Sequence, residues 1–344
     1  MSELRMTGLL VGIGLLAALF LYRRFVRRLS NFTMIISLTI CTLIIVFALF
    51  PNTLNDLLIT YSLKPENGQR LIGLLMLSNL LIFLFLFILA ARHDALQQTV
   101  DRLVTAITKQ AYQGEHVGAP ILVVIPAYDE EENIGLVLDR IPKEVCGKQV
   151  EAVVVVDGGT DRTAEVVKAR KVGVATHVIN RGQAASLRVG YSLAIERGAE
   201  IVVTLDADNQ HHPEEMARLV KPILDGKADM VNGSRVLGHY EKDSQVRALG
   251  VVLFNYLISF MAGTRITDCS NGFRAIRTSC LRELTLVQTQ YHATEMLLEC
   301  LRRGFRFQEV PITISNRTYG VSKKGPSMYY ALGFLRTIVV TWLR

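Results

Sequence analysis

The alternation of short valine- and isoleucine-rich runs with stretches of helical spacing, from residue 118 onward, constrains the fold most. Strands are predicted at 121–126, 151–157, 176–180 and 200–206, and helices at 130–140, 161–170 and 183–197. Continuous apolar strands interleaved with helices form a mainly parallel sheet that is covered on both faces. The sequence therefore predicts an α/β domain with a mainly parallel sheet over residues 118–326.

Polar, turn-prone residues follow each of these predicted strands. The four blocks are PAYDEEEN, DGGTDRT, NRGQAAS and DADNQHH. Because parallel sheets bind ligands outside the carboxyl ends of their strands, all four blocks are expected to meet at one edge of the sheet. The chemistry of the domain is expected at that edge.

Asp206 and Asp208 come directly after the apolar run EIVVTL. Two carboxylates at this spacing can bind one hard cation, and Mg²⁺ and Mn²⁺ prefer such oxygen ligands. Gln210 could add an amide oxygen from the same turn. The alternative is a solvated turn that caps the following helix. His211 and His212 do not indicate zinc, because adjacent side chains rarely converge on one ion and no cysteine lies near them.

Three long apolar stretches precede the domain, at about 7–24, 32–50 and 71–91. Crossing a bilayer takes roughly 20 apolar residues in a helix. A cleaved signal peptide is the alternative for the first stretch, but RRFVRR follows it instead of a small-residue cleavage site. The arginines of that loop place it in the cytoplasm. Residues 1–91 are therefore predicted to cross the cell membrane three times, with the α/β domain in the cytoplasm.

Two shorter helices are predicted beside the domain. The first, at 92–117, is an amphipathic linker whose narrow apolar seam leaves self-association into a homo-oligomer open. Its seam residues are Leu96, Val100, Leu103 and Ile107. The second, at 327–344, is interrupted by Arg336 and is predicted to lie in the membrane interface, with a fourth span as the alternative.

Composition limits the partners. The chain has 344 residues with 38 Lys and Arg against 31 Asp and Glu, and half of it is hydrophobic. This modest surplus without a basic stripe argues against nucleic acid and favours membrane lipids or phosphate-bearing substrates. The five cysteines show no zinc-ligand spacing, and their odd number argues against a disulfide framework. Reduced thiols in a cytosol fit this usage.

An ordered set of motifs over about residues 119–326 resembles the family 2 glycosyltransferases. The motifs are VVIPAYDEEENIGLVLDRIP, VVVVDGGTDRTAEVV, TLDADNQHHPEE, GSR, SNGFRAIR and EVPITISNRTYGVSKKG. The last motif, and HHPE after the aspartates, are most similar to dolichyl-phosphate mannose synthases and related polyprenyl-phosphate glycosyltransferases. The resemblance implies a GT-A fold and inverting transfer of mannose or glucose from GDP-mannose or UDP-glucose to a polyprenyl or dolichyl phosphate.

The resemblance also implies roles for individual residues. The nucleotide sugar is expected to contact Pro126, Tyr128, Glu130, Asp157 and Asp206. The metal ion, Mg²⁺ or Mn²⁺, is expected on Asp206, Asp208 and Gln210, and the acceptor phosphate on Arg235, Arg247, Arg317 and Lys323. Asp206, Asp208 and Arg317 are expected to be catalytic. One departure concerns the base contacts, because many relatives carry two acids where this chain has Val156 and Asp157.

The basic segment NRTYGVSKK just before the last apolar stretch bears on the acceptor. A phosphate monoester has a second pKa of about 6 and can attack without a general base. Arg317, Lys323 and Lys324 would hold it, unless this patch only grips anionic lipid. A sugar hydroxyl as acceptor would need a base, for which Glu295 is the best candidate.

Three functions therefore stay open from the sequence: transfer to a lipid phosphate, transfer to a glycan or glycolipid hydroxyl, and a non-catalytic nucleotide-sugar-binding scaffold. Two arginines are open as well. Arg181 either contacts the diphosphate at a helix N-terminus or lies on the surface. Arg274 is either an acceptor-side residue or an ordinary strand end.

Overall fold

The structure is a computed structural model that describes residues 3–26, 37–39, 41–42, 45–46, 49, 65–114, 118–240, 245–319 and 327–343. It divides into two compact units, residues 1–103 and 104–344. Helix α1 (Glu3–Val26) covers the first predicted apolar helix. Most of the second predicted helix, 32–50, lies outside the described residues.

The third apolar stretch and the start of the linker form one helix. Helix α2 (Pro65–Gln110) runs through residue 91 without a break, where the sequence predicted a boundary between two helices. Within the described part of the chain, one helix, Ser78–Gln110, is long and apolar enough to cross a membrane by length and composition. The three-span topology stays a prediction.

The α/β domain is built on an eight-stranded sheet. Its strands are β1 (Ile121–Ala127), β2 (Glu144–Val145), β3 (Lys148–Val156), β4 (Gly173–Thr176), β5 (Ile201–Thr204), β6 (Met230–Tyr240), β7 (Arg274–Arg277) and β8 (Phe307–Ile314). The order is β2-β3-β1-β5-β7-β6-β8, and β4 pairs with β3. Strand β1 runs parallel to β3 and β5, β3 parallel to β4, and β6 parallel to β8. Strand β7 is antiparallel to both neighbours, and the short β2 is antiparallel to β3.

Ten helices are described in the chain. Those that follow α2 are α3 (Ile134–Arg140), α4 (Thr163–Ala169), α5 (Gln183–Glu196), α6 (Met216–Leu224), α7 (Gln245–Ala262), α8 (Thr278–Glu283), α9 (His292–Arg302) and α10 (Ser327–Trp342). A 3₁₀ turn, Pro213–Glu215, precedes α6. The predicted helices at 130–140, 161–170 and 183–197 correspond to α3, α4 and α5, with later starts for the first two.

Both faces of the sheet are covered, because side chains of β1 alternate between two cores. Ile121, Val123 and Ile125 pack with residues of α3, α4 and α6 on one face. Leu122 and Val124 pack with residues of α5, α8 and α9 on the other face. All seven residues of β1 are buried, as expected for a central strand of a sheet covered on both sides.

A third cluster joins the last helices to the domain. Ile258 of α7, Leu297 and Leu298 of α9, and Phe334 and Ile338 of α10 are buried together. Helix α10 therefore packs on the domain along one side, while Leu335, Val339 and Leu343 stay exposed.

The predicted strand at 176–180 is displaced in the structure. Strand β4 ends at Thr176, and its register pairs Gly173 with Val153 and Thr176 with Val156 of β3. Val178 and Ile179, whose apolar side chains favour a strand in the sequence, are 72% and 52% exposed. The chain turns away from the sheet after His177, so the polar block at 180–186 follows a loop, not a strand end.

Candidate active site

The Asp206 carboxylate lies at the edge of the sheet, two residues after β5 ends. Its side chain is 32% exposed. The Gln183 amide at the start of α5 donates from Nε2 to Asp206 Oδ1 over 2.8 Å. The His211 ring approaches from the other side, with Nδ1 3.9 Å from Asp206 Oδ2. Gly272 leaves the space for this carboxylate, since a Cβ there would lie 2.8 Å from Oδ2.

The Asp208 carboxylate forms an ion pair with Arg317. The guanidinium Nη2 donates to Asp208 Oδ2 over 2.8 Å, and Nη1 reaches Glu130 Oε1 at 3.5 Å. The three side chains are largely buried: Asp208 is 14% exposed, Arg317 20% and Glu130 9%. The structure thus brings together three predicted site residues that come from three separate parts of the chain.

Residues 315–319, which we call the C-terminal strap, are bound to the aspartate turn. The Gln210 amide donates from Nε2 to the Ser315 carbonyl over 3.1 Å, and the Ser315 N–H donates to the Gln210 carbonyl over 2.9 Å. Asn209 Nδ2 donates to Thr318 Oγ1 over 3.2 Å. With its amide nitrogen engaged, Gln210 can offer only its amide oxygen to a metal ion.

The other end of the strap reaches the loop after β1. Asn133 Nδ2 donates to the Tyr319 carbonyl over 3.3 Å and to Glu130 Oε2 over 2.7 Å. Of the remaining predicted nucleotide contacts, Pro126 lies buried within β1, and Tyr128 follows it with an exposed ring. Pro126, Tyr128 and Glu130 therefore surround the point where β1 ends, beside the strap.

Asp157, predicted to contact the nucleotide, is buried at the end of β3 and bonded to the protein on both oxygens. Its Oδ1 accepts from His177 Nδ1 and from the Arg181 N–H, each over 2.8 Å, and its Oδ2 accepts from the Gly182 N–H over 2.6 Å. Burial acts to raise the pKa of this carboxyl, but these hydrogen bonds outweigh it and hold the pKa below the ordinary value. A direct contact with the nucleotide stays a prediction.

The predicted acceptor-phosphate residues are not brought together by the described contacts. Arg235 grips the buried Asp268 in a fork, with Nε and Nη2 at 2.7 and 3.0 Å from the two carboxylate oxygens. Arg247 lies in the first turns of α7. Lys323 lies outside the described residues. Among these four residues, Arg317 is the one for which the structure describes a contact with Asp208.

Glu295 and Arg274 have structural partners. Glu295 is fully buried in the first turn of α9 and accepts the N–H groups of Val287 and Gln288 at 2.9–3.1 Å. Arg274 is fully buried and donates to the carbonyls of Asn271 and Ala293. The Glu295 carboxylate is thus closed off from solvent, and its role as a general base stays a prediction.

The donor set around Asp206 and Asp208 fits a divalent cation. The Arg317 guanidinium already supplies one positive charge to Asp208, which indicates a place where a cation is favourable. Within the described residues, no cluster of three or more His, Cys, Asp and Glu side chains could hold a metal ion. Mg²⁺ commonly binds one or two carboxylates and takes its other ligands from substrate phosphates and water, so two acids suffice.

Three contributors to this site were not singled out from the sequence. Gln183 lies in the polar block NRGQAAS, in which the charged Arg181 is the more conspicuous candidate. Gly272 lies in SNGFRAIR, where the lack of a side chain gives no signal. His177 falls within the strand predicted at 176–180. The available signal for Gln183 is its place directly after a glycine, in a polar block that is expected at the same end of the sheet as the aspartate pair.

Comparison with known sequences identifies the family. The family model for glycosyl transferase family 2 matches residues 122–285. The chain is 34% identical over 220 residues to the polyprenol monophosphomannose synthase of Mycolicibacterium smegmatis, covering 60% of this chain and 81% of that one. It is 32% identical over 217 residues to the dolichyl-phosphate hexose transferase of Haloferax volcanii, covering 62% and 90%. The chain therefore belongs to glycosyltransferase family 2.

Solved structures agree on the fold. The glucosyl-3-phosphoglycerate synthase of Mycobacterium tuberculosis in complex with phosphoglyceric acid superposes with a TM-score of 0.51 at 21% identity, over 70% of this chain and 81% of that one. The same enzyme in complex with Mg²⁺ and uridine diphosphate also gives 0.51 at 21% identity, over 70% and 82%. The chain is a glycosyltransferase with a GT-A fold, and its resemblance to polyprenyl-phosphate glycosyltransferases is confirmed by the two relatives above.

Proposed function

We propose that this glycosyltransferase is a membrane-anchored, inverting enzyme that transfers a hexose from a nucleotide sugar to a polyprenyl or dolichyl phosphate at the cytoplasmic face. The names of its relatives support a lipid-phosphate acceptor, since one is a polyprenol monophosphomannose synthase and another a dolichyl-phosphate hexose transferase. Mannose from GDP-mannose is the first donor to test, and glucose from UDP-glucose is the second.

The observation that carries the proposal is the ion pair between Arg317 and Asp208, the second acid of the predicted metal pair. The turn after β5 carries two carboxylates, Asp206 and Asp208, for a cation, and the Arg317 guanidinium, 2.8 Å from Asp208 Oδ2, is available for an anion. A guanidinium fork matches the oxygens of a phosphate. Transfer of a sugar from a nucleotide sugar to a phosphate acceptor brings two anionic molecules together. It therefore needs a cation-binding site and a cationic side chain close to each other.

Asp206, Asp208 and Gln210 would hold Mg²⁺ or Mn²⁺ together with the donor diphosphate. When bound, the ion supplies Lewis-acid neutralisation of the charge that grows on the departing nucleotide. Arg317 holds the acceptor phosphate close to the donor, and Glu130 orients the guanidinium at 3.5 Å. Pro126 and Tyr128 flank the nucleotide at the end of β1, and Arg235, Arg247 and Lys323 complete the acceptor side in this proposal.

The buried state of Glu295 favours the phosphate acceptor over a sugar hydroxyl. A hydroxyl must lose a proton during attack, and a general base within reach typically contributes 10²–10⁴-fold. Glu295 was the candidate base, and its oxygens are engaged by backbone N–H groups. A phosphate that is already ionised needs no such base.

An apolar surface on α7 and α10 supports a lipid substrate. The groove between these helices is lined by apolar side chains, among them Leu253, Tyr256, Phe260 and Leu335. Tyr256 and Phe260 are more than 70% exposed. Exposed apolar patches of this kind mark lipid or protein contact sites. The apolar helix at Ser78–Gln110 supports a membrane anchor, and the three-span topology and a homo-oligomer belong to the same proposal.

The test is transfer by the purified full chain in detergent or nanodiscs. Labelled GDP-mannose, UDP-glucose and other nucleotide sugars are each supplied with a polyprenyl phosphate, with Mg²⁺, with Mn²⁺ or with EDTA. The expected result is a labelled lipid with one donor, lost with EDTA and in Asp208→Asn. The proposal is wrong if sugar reaches only hydroxyl acceptors, or if the lipid forms equally well with EDTA.

A further inference from the structure

The residues His177 and Asp157 form a buried pair at the carboxyl ends of two neighbouring strands. His177 is the first residue after β4 and Asp157 the first after β3, and the exposed fractions of the two residues are 2% and 3%. The His177 Nδ1–H donates to Asp157 Oδ1 over 2.8 Å. The His177 backbone N–H donates to the Val156 carbonyl over 2.9 Å, which fixes where the chain leaves the sheet.

The pair holds the loop that follows β4. The Arg181 and Gly182 N–H groups both donate to the Asp157 carboxylate, over 2.8 and 2.6 Å. Gly182 has a φ of +84°, a conformation that glycine adopts without strain. The loop also lies close to Gly158, where a Cβ would come within 2.5 Å of the Asn180 nitrogen. The backbone just before Gln183 is therefore fixed from two sides.

Gln183 connects this loop to the aspartate pair. It is the residue after Gly182 and the first residue of α5. Its Nε2 donates to Asp206 Oδ1 over 2.8 Å. A continuous chain of hydrogen bonds and one peptide link thus runs from the buried His177 to a carboxylate at the proposed metal site.

We propose that His177 and Asp157 are positioning residues, which hold the loop at 178–182 so that Gln183 fixes the orientation of the Asp206 carboxylate. This gives Gln183 a specific function in the site. It also gives Asp157 a role that needs no contact with the nucleotide base. The inference rests on the proposed function for the role of Asp206 toward a divalent ion.

The chemistry of Asp157 makes the arrangement testable. Three N–H groups donate to the two carboxylate oxygens of Asp157. A side chain at this position must therefore offer hydrogen-bond acceptors to all three of them. An asparagine of the same shape turns an NH₂ group toward one of these donors. The loop would then lose a hydrogen bond and gain a repulsion, without any change in volume.

The experiment measures Mn²⁺ binding by electron paramagnetic resonance with inorganic diphosphate as the probe, on the full chain in detergent. Inorganic diphosphate has no base, so a base contact does not affect the result. The variants are Asp157→Asn, Gln183→Leu and the double variant. Asp139→Asn, which removes the same charge from an exposed side chain, is the matched control.

Each single variant is expected to weaken Mn²⁺ binding by about 3–10-fold. The double variant is expected to bind Mn²⁺ no more weakly than the single variant with the lower affinity, because both substitutions break the same chain of contacts. His177→Asn, whose amide can donate from the position of Nδ1, is expected to bind like the wild type, and His177→Leu like Asp157→Asn. Gln183 is exposed, so Gln183→Leu gives an answer even if the buried variants do not fold.

The outcomes separate the alternatives. If Asp157→Asn and Gln183→Leu bind Mn²⁺ and diphosphate like the wild type, the positioning role is wrong and the metal role stands. If Asp157→Asn instead weakens only the binding of a nucleoside monophosphate, Asp157 contacts the base. If the losses of the single variants multiply in the double variant, the two residues act independently. If the wild type itself binds no Mn²⁺, the metal role fails and the inference fails with it.

Discussion

The substitution Gly272→Ala tests whether the position of the Asp206 carboxylate limits the reaction. Gly272 precedes β7, and its carbonyl accepts a hydrogen bond from Thr204 Oγ1 at the end of β5 over 2.5 Å. An added methyl would lie 2.8 Å from Oδ2, 2.9 Å from Oδ1 and 3.1 Å from Cγ of Asp206. The backbone is fixed from both strands, so the carboxylate has to move.

The size of the effect follows from these distances. Ordinary contacts begin at 3.4 Å, so the carboxylate is displaced by about 0.5 Å. Misplacing a reacting group by 1 Å can cost about 10²-fold in rate, and half of that displacement predicts about a tenfold loss of transfer. Asp206 is partly exposed and can turn toward solvent. The free energy of unfolding is therefore expected to fall by less than the ~1–3 kcal/mol typical of an overpacked core.

The assay compares the rate of lipid-product formation and the Mn²⁺ affinity of Gly272→Ala with those of the wild type, together with thermal unfolding. Gly135→Ala is the control, because its methyl would meet only the flexible end of Arg170. A Gly272→Ala enzyme with wild-type rate and Mn²⁺ affinity would show that Asp206 does not need its present position. A large loss of stability with an unchanged rate per folded molecule would show that Gly272 serves packing alone.

Three further predictions follow from individual contacts. Arg317→Gln is expected to bind Mn²⁺ several-fold more tightly, because a cation that competes for Asp208 is gone, while transfer falls about 10²-fold; paramagnetic resonance and the lipid assay measure the two effects. Glu295→Gln is expected to lower the free energy of unfolding by about 1–3 kcal/mol, because the glutamine amide cannot accept all the backbone N–H groups that donate to the Glu295 carboxylate. The rate of transfer is expected to fall less than tenfold; denaturant titration measures the first effect and the lipid assay the second. The lowered pKa of Asp157 adds stability above the ordinary aspartate pKa of about 4 and loses it as pH falls through the lowered value, so acid unfolding should be less steep in Asp157→Asn than in the wild type.

The sequence predicted the sheet well where apolar runs and burial coincide. The run at 121–126 lies in β1 and the run at 200–206 contains the shorter β5, and both strands are buried throughout. The predicted strand begins three residues and ends four residues after β4 does, because the β4 sequence GVAT is small and weakly apolar, while the following Val178 and Ile179 are apolar but exposed. Pairing with β3, and not side-chain hydrophobicity, decides where that strand ends.

The partners of charged residues could not be predicted in the same way. The Arg235 fork binds Asp268, 33 residues away, and Arg317 reaches Asp208 across 109 residues. Both arginines look alike in the sequence, each beside polar residues in a motif. Strand β7 lies antiparallel between β5 and β6, and neither its direction nor its place in the sheet is encoded in local spacing.

Charge balance explains why the proposed reaction needs Arg317 and a divalent ion together. Asp206 and Asp208 place two negative charges in the turn after β5, and Arg317 balances the charge of Asp208. A donor diphosphate and a dianionic acceptor add further negative charge within a few ångströms, where repulsion is strong in a partly buried site. A divalent ion held by the two carboxylates would offset the charge of the donor, and Arg317 would then be available to the acceptor. In this proposal the Arg317 guanidinium would pair with Asp208 in the absence of the ion and with the acceptor phosphate in its presence.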